Sequence, residues 1–207
     1  MDPPKESSPL ALAALMRHLV ALSEPERPCG GLTPAQWGAL RYFGRANRFS
    51  RTVSAFADFN ATARGTASQT VKALEQAGYV TRRQVARDKR RAQIDLTEAG
   101  WAKLAEDPAA VLTRAIEHLP QTERQMLDES LERLIREVAG GGERFGTCPD
   151  CAHLAACPHQ AGTEAGPDYF CRLTEEYVSP RELSALCAAF VETGEADADG
   201  EEGPGEG

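Results

Sequence analysis

The chain is predicted to be mainly α with a small β-wing: a winged helix-turn-helix, a helical dimerisation region and a small C-terminal metal-binding module. Three observations carry that prediction. Residues 52–100 read as a short helix, a turn, a second helix and an arginine-rich β-hairpin. Two amphipathic segments, one near the N-terminus and one ahead of the Gly140-Gly141-Gly142 run, bear apolar stripes that little else in the chain can cover. Five of the six cysteines fall between Cys148 and Cys187. A helix pair followed by a basic hairpin suits duplex DNA, with the second helix in the major groove and the hairpin at the adjacent minor groove.

Each element has its own local signal. Ser8 can cap a first helix with Pro9 at its first position, and Leu10, Leu12, Leu15, Met16, Leu19 and Leu22 form its apolar stripe. Residues 24–31 read as a Pro/Gly linker. Thr33-Pro34 restarts a helix carrying Trp37, Leu40, Tyr42 and Phe43 and ending near Asn47. Thr52 to Phe59 is the next helix, with Val53, Phe56 and Phe59 apolar, and Asn60-Ala61-Thr62 is the turn. The following helix starts near Ala63, turns Val71 and Leu74 inward, and ends at Gly78 in a left-handed cap. A strand begins at Tyr79-Val80, Val85 and Ile94 flank a tip at Arg87-Asp88-Lys89-Arg90, and Leu96 closes the return strand. Thr97 caps a further helical stretch that runs to Ala139 and is divided by Pro108 and Pro120. Its last piece places Met126, Leu127, Leu131, Leu134, Ile135 and Val138 on one stripe, which with the N-terminal helix predicts a homodimer interface.

The domain plan is thus an N-terminal dimerisation helix and linker (1–31), the DNA-binding domain (32–100), dimerisation helices (101–140), a cysteine-rich module (145–190) and an acidic tail (191–207) expected to be disordered. The formal net charge of −8 looks wrong for a DNA binder, but residues 192–207 hold seven acids and no base. Residues 79–95 hold six bases (Arg82, Arg83, Arg87, Lys89, Arg90, Arg91) against Asp88 and Asp95. DNA responds to that local patch rather than to the overall charge. The chain has no run of eighteen apolar residues and no convincing secretory leader, so a cytoplasmic location without a membrane span is expected. It carries no Gly-rich phosphate loop, nucleophile elbow or acid pair placed for catalysis, and is read as a non-enzyme.

At the start of the second helix of the pair, Arg64, Thr66, Ser68 and Gln69 are polar and expected to face outward. Arg can make two hydrogen bonds to guanine and Gln two to adenine. Thr66 and Ser68 suit phosphate or single-bond contacts, and Lys72 the backbone.

The cysteine spacing from Cys148 is C-x2-C-x5-C-x13-C-x15-C, with His153 and His159 inside it. In a reducing compartment such a cluster points to metal or redox chemistry rather than to static disulfides. The Cys-Pro steps at Cys148-Pro149 and Cys157-Pro158, and three near cysteines plus one distant, suit an iron–sulfur cluster on Cys148, Cys151, Cys157 and Cys171. Zinc remains open, because His153 or His159 could complete a set with the one close pair, as does a thiol switch. Cys187, in the apolar stretch ELSALCAAF, is read as a buried helical core thiol, and Cys29 as an incidental one. A module this short has few large apolar side chains, so bound metal would supply missing folding energy.

Residues 32–138 resemble the MarR family of winged-helix transcription regulators. The resemblance rests on Leu32-Thr33-Pro34-Ala35-Gln36-Trp37, on the helix pair of 52–77, on Leu74-Glu75-Gln76-Ala77-Gly78-Tyr79-Val80, on Asp88-x-Arg90 at the wing, on Leu96-Thr97-Glu98-Ala99-Gly100 and on LPQTERQMLDESLERLIREV. It implies a two-fold dimer built from N- and C-terminal helices, palindromic operators in double-stranded DNA, repression, and release by a small-molecule effector or an oxidant. It also implies that Asp88 braces the wing while Arg90 or a neighbouring base (Arg87, Lys89, Arg91) enters the minor groove. Gly65 departs from the family, where a hydroxyl residue is frequent.

Two functional expectations follow from different roles of the cysteines. In the first, a homodimeric repressor has its DNA affinity tuned by an iron–sulfur cluster that shifts the C-terminal helices and so the spacing of the recognition helices. In the second, zinc is structural and an organic ligand between the helices is the signal. A thiol-redox protein using Cys148-x-x-Cys151 is a third reading, with no βαβ pattern around it to support it.

Overall fold

A computed structural model describes residues 8–23, 30–85, 88–139, 145–157 and 169–193, apart from the side chains of 85–91. Helix α1 (Pro9–Ser23) starts as expected, with Ser8 Oγ accepting from the Ala11 amide at 3.2 Å. Helix α2 (Pro34–Arg45) carries a full capping box: Thr33 Oγ1 accepts from Gln36 N, and Gln36 Oε1 accepts from Thr33 N at 2.8 Å. Helix α3 (Val53–Phe59) is capped by Thr52, and α4 (Arg64–Gln76) ends on Gly78 at φ +78°. Strands β1 (Val80–Val85) and β2 (Asp88–Leu96) form an antiparallel ladder pairing Val80 with Leu96 and Val85 with Asp88. The wing tip is therefore shorter than the sequence suggested. Asp88 already belongs to the return strand, and a register shift between Gln84 and Val85 passes over residues 89–91 of that strand.

The core lies where α2, α3, α4 and the two strands meet. Trp37, Leu40, Phe43, Val71, Leu74 and Ile94 are fully buried in it, and each such side chain stabilises the fold by about 1.5–3 kcal/mol. Helix α5 (Glu98–Leu104) docks on α2, with Leu104 and Trp101 against Gly44. The break at Asp107-Pro108 is held by Arg41, which donates from Nε and one terminal nitrogen to both Asp107 oxygens at 2.8 Å. Asp107 also accepts from the Ala109 amide ahead of α6 (Ala110–Glu117). Helix α7 (Gln121–Ala139) follows Pro120. No helix among the described residues is long and apolar enough to cross a membrane.

Among the described residues, helices α1 and α7 bury almost nothing. Leu10, Leu15, Val20 and Leu22 of α1 and Met126, Leu134, Ile135 and Val138 of α7 are exposed.

The C-terminal module is built from a short 3-10 turn (Cys148–Asp150) and a three-stranded antiparallel sheet. Its strands are β3 (Leu154–Ala156), β4 (Tyr169–Cys171) and β5 (Glu176–Val178), in that order. Two expectations are corrected here. The stretch ELSALCAAF is not helical. Leu186 pairs with Ala46 and Cys187 with Gly146, so tertiary hydrogen bonds override a short apolar run whose period was ambiguous. Residues 191–193 belong to the module rather than to the tail. Val191 O accepts from Ala152 N at 2.8 Å, Thr193 N donates to Asp150 O at 3.0 Å, and Glu192 meets Arg136 of α7 at 2.7 Å.

Gly100 shows how closely the wing root is packed. A Cβ there would stand 2.0 Å from the Tyr79 carbonyl oxygen, which is backbone and cannot swing away. Gly100→Ala is expected to destabilise the domain by about 2 kcal/mol or more. The check is the thermal unfolding midpoint, and an unchanged midpoint would contradict the packing described.

Candidate nucleic-acid interface and thiol cavity

Helix α4 divides cleanly into two faces. Ala67, Val71 and Leu74, at helical spacing, are buried. Arg64, Thr66, Gln69 and Lys72 are exposed on the opposite side, and Ser68 is half-buried at the boundary. Ala63 at the N-cap offers no side-chain acceptor. The amides of the first turn of α4 thus have no cap side chain to satisfy them, a geometry that suits a phosphate oxygen. Gly65, on the same turn, faces open space.

The wing stands beside this face. Arg82 is paired with Glu75 of α4 at 3.0 Å, which ties the first strand to that helix. Arg83 is two-thirds exposed and reaches Asp95 at 3.2 Å. Arg87 lies outside the described residues, as do the side chains of Asp88, Lys89, Arg90 and Arg91. Within the described part the bracing acid is Asp95, a role the sequence did not single out. Asp95 Oδ1 accepts from Arg51 at 3.0 Å and from Gln93 at 2.9 Å. Arg51 in turn donates from Nε to Ala46 O, and its carbonyl accepts from Ile94 N at 2.8 Å. Residues 46–51 are thereby fastened to the wing.

The same segment is fastened on its other side to the C-terminal module. Asn47 N donates to Leu186 O at 2.8 Å, Leu186 N to Arg45 O at 2.9 Å, and Ala188 N to Ser50 Oγ at 2.8 Å. Arg48 reaches over the module, with one terminal nitrogen on Glu182 and the other on Glu176 (3.3 Å) and the Tyr177 carbonyl. Phe145 stacks edge-on against Phe59 at the end of α3, ring centres 5.0 Å apart.

Between the module and this segment lies a cavity walled by four thiols: Cys148, Cys151, Cys171 and Cys187. Asn47 and Phe49 close it from the winged-helix side, and His153, Leu154, Leu173, Thr174, Val178 and Glu182 contribute from the module. The structure thus brings together three of the four predicted ligands. It places Cys187, read from sequence as a core thiol, where Cys157 was expected, and Cys157 does not line the cavity. Linear spacing favoured Cys157 because it is close in sequence. The fold reaches further along the chain by looping residues 182–189 back against residues 45–50. Among the described residues no group of three or more His, Cys, Asp or Glu is gathered for a single metal ion. Cys29 and His159 lie outside the described residues.

Burial, and then the neighbouring thiols Cys187, Cys151 and Cys171, push the Cys148 thiol up to about 11. Repulsion from the neighbouring sulfurs adds to burial in disfavouring the Cys148 thiolate, and a bound cation would reverse that balance. Thr174 Oγ1 is buried on the cavity wall with no hydrogen-bond partner among the described residues. Burial and the proximity of Cys187 raise the Tyr42 phenol, whose hydroxyl donates to Ser50 O at 2.8 Å.

Residues 30–91 match the model of the MarR family. No curated protein sequence matches the chain. The solved structure of the transcriptional regulator PA3341 is 25% identical and covers 63% of this chain and 97% of that one, with a TM-score of 0.52. MepR of S. aureus, solved as a DNA complex, is 17% identical, covers 65% and 99%, and has a TM-score of 0.51. A transcriptional regulator from Pseudomonas aeruginosa is 26% identical, covers 60% and 96%, and has a TM-score of 0.45. The likeness to MepR is one of fold.

The Arg48–Glu182 contact gives the docking of the module a pH dependence. Burial alone would raise the Glu182 carboxyl, but hydrogen bonds from Arg48 and Ser179 and the Arg48 charge hold it below its ordinary value. Stability from a depressed carboxylate is fully present above its unfolded value of about 4.3 and is lost as pH falls through the lower folded value. The urea midpoint of Glu182→Gln should therefore fall short of wild type at neutral pH and converge with it on acidification. A gap that stays constant from about pH 7 to about pH 3 would contradict this.

Proposed function

Since residues 30–91 carry a MarR-family winged helix-turn-helix domain, we propose that the chain is a homodimeric, sequence-specific DNA-binding regulator of transcription that represses by occupying its operator. The observation that carries this reading is the exposed polar face of α4, with Arg64, Thr66, Gln69 and Lys72 opposite a buried apolar face, beside a basic two-stranded wing. Arg64 and Gln69 suit base edges, and Lys72 with the uncapped first turn suits phosphates. The wing bases Arg87, Lys89, Arg90 and Arg91 would extend the contact to the minor groove.

Dimerisation is supported by the apolar faces of α1 and α7, which none of the described residues covers. Faces of that extent mark an interface in a water-soluble fold. A second copy would cover them and set two recognition helices on a palindromic site, with half-site centres about one helical turn of DNA apart.

A duplex selected from a random library supplies the operator for the test. Arg64→Ala should weaken binding to it by about 1–3 kcal/mol and relax the preference at one base position, while Lys72→Ala should weaken all sequences alike and lower the salt slope by about 1. Retention of full specific affinity by Arg64→Ala would overturn the placement of α4 in the groove. Ile135→Glu together with Leu134→Glu should convert the dimer to a monomer in sedimentation. If the doubly charged variant sediments as wild type does, α7 is not the interface.

A further inference from the structure

We propose that Cys148, Cys151, Cys171 and Cys187 ligate an iron–sulfur cluster seated between the C-terminal module and residues 47–49, that the Thr174 hydroxyl donates a hydrogen bond to it, and that the loaded cluster holds the helix-turn-helix in its DNA-binding geometry. The last part rests on the DNA-binding reading above; the first two do not.

The donor set favours a cluster over a single ion. Zinc held by four thiolates at about 2.3 Å draws their sulfurs to within about 4 Å of one another. Here four thiols share one cavity, yet among the described residues no three donors are gathered for one ion. A cluster presents a separate iron to its cysteines, so its ligands stand apart around a cavity wall rather than round one point. The rest of the wall is largely apolar: Phe49, Leu154, Leu173, Val178 and Ala189. Such a lining keeps water from the sulfurs and suits a cluster. Thr174 Oγ1 is the one buried side-chain polar atom left without a partner among the described residues, and it lies on this wall. A cluster sulfide or thiolate sulfur is the acceptor it lacks. On ligation each thiol releases its proton to solvent as an iron–sulfur bond forms, with iron and inorganic sulfide supplied from outside and no change in the oxidation state of the protein.

The route from cavity to DNA is short. Cys187 lies between Leu186, whose backbone bonds to Arg45 and Asn47, and Ala188, whose amide bonds to Ser50. Glu182, also on the wall, is gripped by Arg48. Ligation at Cys187 therefore fixes the strand that holds residues 45–50, and these lead directly into α3 and, through Arg51, into the wing. The route expected from sequence ran instead through the dimer helices, which the module meets at Glu192 and Arg136.

The test is anaerobic purification and reconstitution with iron and sulfide of the full chain and of four variants. Readouts are iron and sulfide content, visible absorption and reduction potential, with circular dichroism as the check on folding. Wild type, Cys157→Ala and His153→Ala should load alike, and Cys187→Ser should lose the cluster while its winged-helix signal is retained. Thr174→Val should load normally with a lowered reduction potential, because a hydrogen bond to cluster sulfur stabilises the reduced, more negative form. Loading by Cys187→Ser with loss in Cys157→Ala overturns the ligand set. Zinc without sulfide in wild type overturns the cluster, and an unchanged potential in Thr174→Val overturns the part given to the hydroxyl. Removing the cluster from wild type should weaken operator binding about tenfold. Equal affinity of loaded and stripped protein overturns the coupling, whereas failure of both to bind any duplex overturns the DNA-binding reading and leaves the cluster assignment standing.

Discussion

Residues 45–51 form the joint on which the architecture turns. Beyond Arg45, the last residue of α2, they link α2 to α3 without regular helix or strand, so their backbone polar groups must find partners elsewhere. Arg45 O and Asn47 N pair with Leu186, Ala46 O accepts from Arg51, Ser50 O accepts from Tyr42, and Arg51 O accepts from Ile94 in the wing. Three separate parts of the molecule thus satisfy one short connection: the helical core, the hairpin and the C-terminal module. A change in any one of them alters the hydrogen bonding of the segment that aims α3 and hence α4.

That joint also explains why the module folds against this domain. Its own sheet has three strands of three residues each, and its apolar content is small. Phe145, Leu186 and Ala188 pack on the winged-helix core instead of on one another. Arg48 adds charge-assisted bonds that a three-strand sheet could not make alone. The module is in effect a second layer on the domain, with the thiol cavity at the seam.

Much of the helical part was legible in the sequence because its signals are local. Ser8, Thr33, Thr52 and Thr97 announce helix starts, Gly78 announces a stop, and Val71 and Leu74 mark the buried face of α4, to which the structure adds Ala67. The exposed stripes of α1 and α7 were equally readable. What escaped depends on long-range pairing. Nothing near Cys187 in the sequence says that Leu186 will pair with Ala46, and a run such as ELSALCAAF fits a helix or an extended segment equally well. Asp95 as the wing brace was hidden for the same reason, since its partner Arg51 lies 44 residues away. The cysteine spacing singled out three of the four thiols that line the cavity, together with Cys157, which does not line it.

The seam has a further consequence for biogenesis. Its wall is drawn from Asn47 and Phe49 on the one hand and, about a hundred positions later, from residues between Cys148 and Ala189 on the other. During synthesis the winged-helix half emerges first and can fold as a unit, since domains generally do so in order. The cavity comes into being only when residues 148–189 have left the ribosome and settled on that surface. Whatever the thiols receive is therefore received after the winged-helix half has folded.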